Sequence, residues 1–307
     1  MKRILTYTVP QGFCGARIND ALRRGMKMSG SLIKELKAQE DGIMQNGRRA
    51  RTTDTVNGGD IIVCTLHDTD PENITPTAMQ LDILYEDEDI LIINKPPHMP
   101  VHPTKGHITD TLANGVIAHY RDNGEAHPFR AVNRLDSDTS GVMCIAKNSY
   151  ANARLCDEIA SGGLRREYVA IVEGTLNESG TVNAPIARIN YLKRAVREDG
   201  QNAVTHYEPI AGCGSYTLLR LRLEMGRTHQ IRVHMQHIGH PLLGDWLYGT
   251  ENKELFPRHA LHSRYLRLTH PVTGKDMEFA APLPEDMDRF IKGTGMQKNK
   301  EEEKWQE

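Results

Sequence analysis

Between Arg130 and Lys147 the sequence reads Arg-Ala-Val-Asn-Arg-Leu-Asp-Ser-Asp-Thr-Ser-Gly-Val-Met-Cys-Ile-Ala-Lys, and its two carboxylates, Asp136 and Asp138, are the groups best placed to do chemistry. The polar run Asn133 to Gly141 gives way to the apolar Val142 to Ala146 of a buried strand, so both carboxylates fall in a turn beside a sheet. Arg134 stands two residues before Asp136, and the hydroxyls of Thr139 and Ser140 can bond backbone or carboxylate where the chain turns. A carboxylate kept ionised by a nearby cation and aimed into a cleft suits a nucleophile or a general base. The same string also fits an Asx-turn with no chemistry. As a paired acid and base the two aspartates could cleave a glycosidic bond, releasing free base or sugar.

A second cluster runs Gly226-Arg227-Thr228-His229-Gln230-Ile231-Arg232-Val233-His234-Met235 and closes at Gly239-His240-Pro241. Helical spacing puts Thr228, Ile231, Arg232 and Met235 on neighbouring positions. His229, His234, His237 and His240 suggest zinc, but no ligand-spaced carboxylate or cysteine joins them and His240 lies beyond the helix, so no metal is expected. Tyr168 follows two arginines in the alternating stretch Arg165 to Gly174, where an aromatic serves either as core or as a stacking surface.

The elements that must carry these residues follow from pattern. From Ala16 to Cys64 come two short helices, the second capped by Ser29 or Ser31, then an Asn46-Gly47 hairpin and a closing strand. Residues 67–80, with Pro71 and Pro76, read as an extended linker. Ile83–Tyr85 and Ile90–Lys95 form a hairpin-like pair; Thr109 or Asp110 caps a helix through Tyr120, and Ser149 caps another to Ala160. Val182–Ile186 and Asn202–Tyr207 pair around the basic loop Arg188–Arg197. Tyr216–Leu223 alternates, so its arginines share one face. A hairpin from Leu261 to Ala280 completes the sheet, and the charged end, Lys298–Glu307, is expected to be disordered.

At 307 residues the chain can form one large domain and one small one. The net charge is -2 and the pI about 6.7, so bulk charge does not announce a nucleic-acid binder. Affinity for RNA has to come from local clusters: Arg48, Arg49 and Arg51; Lys193, Arg194 and Arg197; Arg220, Arg222, Arg227 and Arg232. The five cysteines are scattered, which argues against a disulfide framework or structural zinc. With neither a signal-like amino end nor a membrane-length apolar run, a cytoplasmic protein without membrane contact is expected.

Arg134-Leu135-Asp136-x-x-Thr139-Ser140-Gly141 and the block Arg227-Thr228-His229-Gln230-x-Arg232-x-His234 resemble the signatures of the RluA/RluD family of pseudouridine synthases. Asn94-Lys95-Pro96 and Val101-His102-Pro103 resemble a third family segment, with His98-Met99-Pro100 where a glycine is usual. Residues Ala16 to Cys64 resemble the alpha-L RNA-binding module of ribosomal members. The resemblance implies an α+β fold, a catalytic domain with an extended, mainly antiparallel sheet and flanking helices over residues 81–293, with the module over 1–66 and a charged tail over 294–307.

It implies conversion of uridine to pseudouridine in structured RNA without a cofactor. Asp136 would be the catalytic aspartate, Tyr168 would stack on the flipped base, and Arg232 would pair with Asp136. Arg134 would fill the space the base leaves, and Ile231 would help exclude water. The module leans towards large-subunit ribosomal RNA, with transfer RNA the other candidate; a monomer is expected. Asn133 replaces the family's histidine; asparagine keeps a hydrogen bond but cannot titrate, and activity should survive. A non-catalytic RNA-binding protein is the competing reading.

Overall fold

Strands that are apolar at every position need cover on both faces, and that requirement shapes the larger sheet. The computed structural model describes residues 2–67 and 73–298. In the amino-terminal unit, β1 (Lys2–Thr8) pairs along its length with β4 (Ile61–His67), which also pairs with β2 (Ile43–Gln45), itself joined to β3 (Arg48–Arg49). Asn46 and Gly47 both take positive φ, 50° and 79°, as a two-residue hairpin turn demands. Helix α1 (Ile18–Asp20) widens into the turn Ala21–Gly25 and is followed by α2 (Gly30–Ala38). Of the two candidate serines it is Ser29 that caps α2, accepting the Leu32 N–H at 3.2 Å. Leu22, Leu36, Val56 and Ile62 are sealed inside this unit's own core.

The larger sheet holds β5 (Ile83–Glu86), β6 (Ile90–Lys95), β7 (Ser140–Ala146), β8 (Arg165–Glu173), β9 (Gly180–Asn183), β12 (Val204–Gly212), β13 (Tyr216–Leu223), β14 (Leu261–Thr269), β15 (Asp276–Ala280) and β16 (Gln297–Lys298). Its main path runs β16-β12-β13-β8-β14-β7-β6-β5, with β15 on β14 and β9 on β12. Every pairing is antiparallel except the short parallel contact of β14 with β7. The hairpin β10 (Ile186–Arg188) and β11 (Arg194–Val196) stands apart, within the loop expected between β9 and β12.

Alternate residues of these strands meet different helices. Leu91, Ile93, Met143, Ile145, Tyr168, Leu219 and Leu221 face α3 (Leu112–Asp122) and α5 (Gln230–His237). Ile90, Ile92, Val142 and Cys144 face α4 (Ser149–Ala160), and Val169, Ile171 and Leu218 face α6 (Glu285–Thr294). Two caps differ from expectation by one or two positions. Thr111, not Thr109 or Asp110, caps α3 in a reciprocal box with Asn114, and Asn148, not Ser149, caps α4. In each case the residue next to the expected one has the extended backbone a cap requires. Of the stretch read as a linker, 68–72 lies outside the described residues, and from Thr75 onward it is tied to α3 through Asn114. The sheet continues past the expected boundary at 293, through α6 to β16; most of the charged tail lies outside the described residues.

A buried histidine spans the parallel contact of β7 with β14. His262, 1% exposed, joins Ser140 Oγ through Nδ1 at 2.9 Å and Ala281 O through Nε2 at 3.3 Å. Burial pushes its imidazole down to about 4 from the ordinary 6.5. Between those values the unfolded chain binds a proton that the folded one refuses, so this stability is complete above 6.5 and is lost as pH falls towards 4. From this group the unfolding free energy should fall by up to about 3 kcal/mol over that window. Urea titrations at pH 6.5 and 4 should show a shallower decline for His262→Gln; equal declines would exclude His262 as the source.

Candidate active site

Asp136 lies in the loop Asn133–Thr139, entered from Ala131, which bridges to Ile145, and left through β7. The backbone is fixed from behind: the Val132 N–H donates to Cys144 O at 2.9 Å and the Thr139 N–H to Asp136 O at 3.1 Å. Asn133, buried, accepts the Cys144 N–H on Oδ1 at 2.8 Å. Two buried cations hold the loop's carbonyls. Lys95 Nζ donates to Ser137 O and Met99 O, both at 2.9 Å, and to Pro96 O at 2.7 Å. Arg258 Nη1 donates to Asp138 O at 2.8 Å while Nε and Nη2 grip Asp286 at 2.6 and 2.9 Å. Burial pushes the Lys95 ammonium down to about 7, with the Asp138 carboxylate opposing. Gly141 closes the loop at φ 112°, where a Cβ would meet the Ser263 carbonyl oxygen at 2.1 Å. No other residue type fits there.

In front of the loop stands Arg232 on α5. Its Nε and Nη2 meet both oxygens of Asp245 at 2.7 and 2.8 Å, and its Nη1 reaches Asp136 Oδ2 at 3.2 Å. Asp245 is fully buried and Arg232 nearly so, whereas Asp136 is about one-fifth exposed. Flanking carboxylates outweigh burial and raise the guanidinium further above its usual range. His229 Nε2 is 3.7 Å from the same Asp136 oxygen. His229 itself precedes the helix with φ 57° and ψ 20°, a left-handed conformation uncommon for a side-chain-bearing residue. Thr228, expected within the helix, lies ahead of it.

Asp136, Arg134, Tyr168, Ile231, Arg232 and Arg227 line one open cleft, together with Leu135, Leu223 and Leu261. Tyr168 lies flush with the apolar wall, 5% exposed, and burial raises its phenol above the ordinary value. Arg134 is exposed at the rim. Asp138 does not line the cleft; it is engaged by His98 Nδ1 at 2.9 Å. A paired acid and base is therefore poorly served by this geometry.

The remaining cations spread outward. Lys193 and Arg194 belong to the β10–β11 hairpin, and Arg197, directly after β11, is paired with Asp199 at 2.8 Å. Arg48, Arg49 and Arg51 are exposed on the amino-terminal unit, the last two beside Lys37 in a separate groove. That unit joins the larger one at the far end of β6 and β7. There Arg3 Nε and Nη2 grip Asp89 at 2.8 and 2.7 Å, and Tyr150 Oη donates to Met26 O at 2.9 Å. Reading the sequence named Lys95 only as part of the Asn94-Lys95-Pro96 segment, without a role, and did not single out Asp245, Tyr248 or Arg258. The detectable signals were a lysine ending an apolar strand and an aspartate closing the Gly239–Asp245 segment.

A family profile described as RNA pseudouridylate synthase matches residues 89–237. YjbO, an RNA pseudouridine synthase of Bacillus subtilis, is 40% identical over 270 residues, 87% of this chain and 95% of its own. Ribosomal large subunit pseudouridine synthase D of Escherichia coli is 38% identical over 321 residues, 98% of each chain. Among solved structures, human RNA pseudouridylate synthase domain containing 4 has the same fold, with a TM-score of 0.57 at 24% identity over 70% of this chain and 94% of its own.

The buried triad sets unequal penalties for its members. Arg232→Ala strands the carboxylate of Asp245 in the core and should cost about 3–5 kcal/mol. Asp136→Ala leaves Arg232 fully paired with Asp245 and should cost less than about 1 kcal/mol. Urea unfolding of the two variants measures the gap, and equal losses would show that Asp245 does not anchor the guanidinium.

Proposed function

The chain belongs to the RluA/RluD family of RNA pseudouridine synthases, and on that premise we propose that it isomerises uridine to pseudouridine in large-subunit ribosomal RNA with Asp136 as the catalytic residue. The observation that carries this reading is the Asp136 carboxylate, held by Arg232 and open to a cleft whose floor is Tyr168, Ile231 and Leu261. The reaction breaks the N1–C1′ bond, forms C5–C1′, and exchanges a proton on C5 for one on N1. Atoms balance within the nucleoside, so no cofactor is required. A group facing the anomeric region must be anionic and accurately oriented, and Arg232 supplies the orientation without removing the charge.

A uracil pulled from a folded RNA needs a flat apolar surface to replace its lost stacking, and Tyr168 with Ile231 offers one. On this reading Arg134, exposed at the rim, occupies the vacated stack, and Arg227 and the β10–β11 cations hold phosphates. The amino-terminal unit, with Arg48, Arg49 and Arg51 exposed, acts as an RNA-binding module of the alpha-L type. The ribosomal large subunit is favoured because the Escherichia coli relative, matched along nearly its whole length, is named for that substrate. The protein works as a cytoplasmic monomer. Among the described residues no helix is long and apolar enough to cross a membrane.

Pseudouridine mapping of total RNA from cells lacking the gene, complemented with wild type or Asp136→Ala, tests substrate and residue together. One or more large-subunit sites should vanish in the deletion and return only with wild type. Sites returning with Asp136→Ala would remove the aspartate from the chemistry, and loss confined to transfer RNA would reassign the substrate. Binding of purified protein to RNA should also weaken steeply with added salt.

A further inference from the structure

Tyr248 packs against both groups that pair with the Asp136 carboxylate, Arg232 and His229, yet it lies off the cleft. Its side chain is 6% exposed, and its backbone N–H is fixed by Asp245 Oδ1 at 3.1 Å. The ring lies 5.1 Å from the centre of the Arg232 guanidinium and edge-on to His229, with ring centres 5.6 Å apart. The hydroxyl has two partners: it accepts the Arg194 backbone N–H at 2.9 Å and meets His229 Nδ1 at 2.9 Å. Arg194 opens β11, so the hydroxyl links the basic hairpin directly to the site. That hairpin exposes Tyr191 at 78% and Leu192 at 54%, and Lys193 Nζ sits 5.8 Å from the Tyr248 ring.

The hydroxyl can take either role towards Nδ1, and one arrangement points the other ring nitrogen's proton at Asp136. Burial lowers the affinity of His229 for a second proton, so its imidazole carries one N–H. The phenol of Tyr248 is raised by burial and keeps its proton. With the Arg194 N–H accepted, the hydroxyl hydrogen is free to donate to Nδ1, which places the imidazole proton on Nε2, towards Asp136. That nitrogen stands 3.7 Å from Oδ2, just beyond hydrogen-bond length, while Arg232 Nη1 is already bonded at 3.2 Å. The left-handed backbone of His229 puts the ring there.

We propose that Tyr248 is a positioning residue that couples seating of the Arg194 hairpin on RNA to the orientation of Asp136, acting through the His229 imidazole. The inference rests on the isomerase reading above. It assigns Tyr248 no contact with substrate. When the hairpin grips RNA, Tyr248 brings the His229 Nε2–H onto Oδ2, so Asp136 is held from two sides only when substrate is present.

The test is a cycle of Tyr248→Phe, His229→Ala and the double variant, with total RNA from cells lacking the gene as substrate and enzyme in excess. Tyr248→Phe keeps the ring on Arg232 and removes only the hydroxyl. Its single-turnover rate should fall roughly 10- to 100-fold. RNA binding should stay within about 2-fold of wild type, since no phosphate contact is lost. The double variant should be no more than about 2-fold slower than His229→Ala, because the hydroxyl acts through the imidazole. Thermal unfolding of each variant keeps the assay below its transition. A Tyr248→Phe enzyme at wild-type rate, or losses that multiply in the double variant, overturns the coupling while wild type still makes pseudouridine. Wild type that makes none overturns the isomerase reading and the coupling with it.

Discussion

One guanidinium shared between two carboxylates governs the site. Asp245 takes Nε and Nη2 of Arg232 inside the protein, and Asp136 takes Nη1 at the cleft wall. Removing three charges from water is unfavourable, and the bidentate pair offsets that only because its geometry is nearly ideal. With Arg232 compensated by Asp245, the triad keeps one net negative charge, and it resides on the more exposed Asp136. The site therefore holds an anion that is oriented without being neutralised. The basic rim of Arg134 and Arg227 follows as its complement, in a chain whose total charge is -2.

The sheet delivers the parts of that arrangement to one place. Lys95 ends β6 opposite Gly141, the second residue of β7, and the first residues of β14 lie beside Ser140 and Gly141. The loop carrying Asp136 thus sits where three strands meet, and Lys95 and Arg258 anchor its carbonyls from beneath. At the other end of the same strands Ile90 pairs with Ala146, close to the Arg3–Asp89 junction with the amino-terminal unit. Five residue steps separate the two ends, roughly 17 Å of strand. An RNA held by both units has to span at least that distance, which suits a folded element better than an isolated nucleotide.

How much of this was legible in the sequence depended on the range of each interaction. The turn at Asn46-Gly47, the alternation of Tyr216–Leu223 and the two clusters around Asp136 and Arg232 are local patterns, and the structure places them as those patterns require except that Thr228 precedes the helix. Caps at Thr111 and Asn148 were displaced because neighbouring Thr, Asp and Ser residues carry equivalent oxygens, and only the backbone angle separates them. Arg258 and Tyr248 escaped notice because the groups that bind them are distant in sequence: the Asp286 side chain and Asp138 carbonyl for Arg258, the Arg194 N–H and His229 imidazole for Tyr248. A carbonyl acceptor leaves no mark on the residue type that supplies it.

Asn133 shows how a departure in sequence acquires a physical meaning. The family's histidine at this point suggested a titrating group beside the aspartate, and asparagine cannot fill that role. The side chain is instead buried, with Oδ1 on the Cys144 N–H, so it closes the bridge between the incoming chain and β7. One acceptor at that distance from the backbone is all the loop asks of position 133, and a neutral imidazole nitrogen or an amide oxygen can each supply it. The cationic or ionisable side chains paired with the Asp136 carboxylate within 4 Å among the described residues are Arg232 and His229, both from the second cluster. Electrostatic control of the carboxylate therefore comes across the cleft, from the start of α5, and the residues preceding Asp136 in sequence set its backbone.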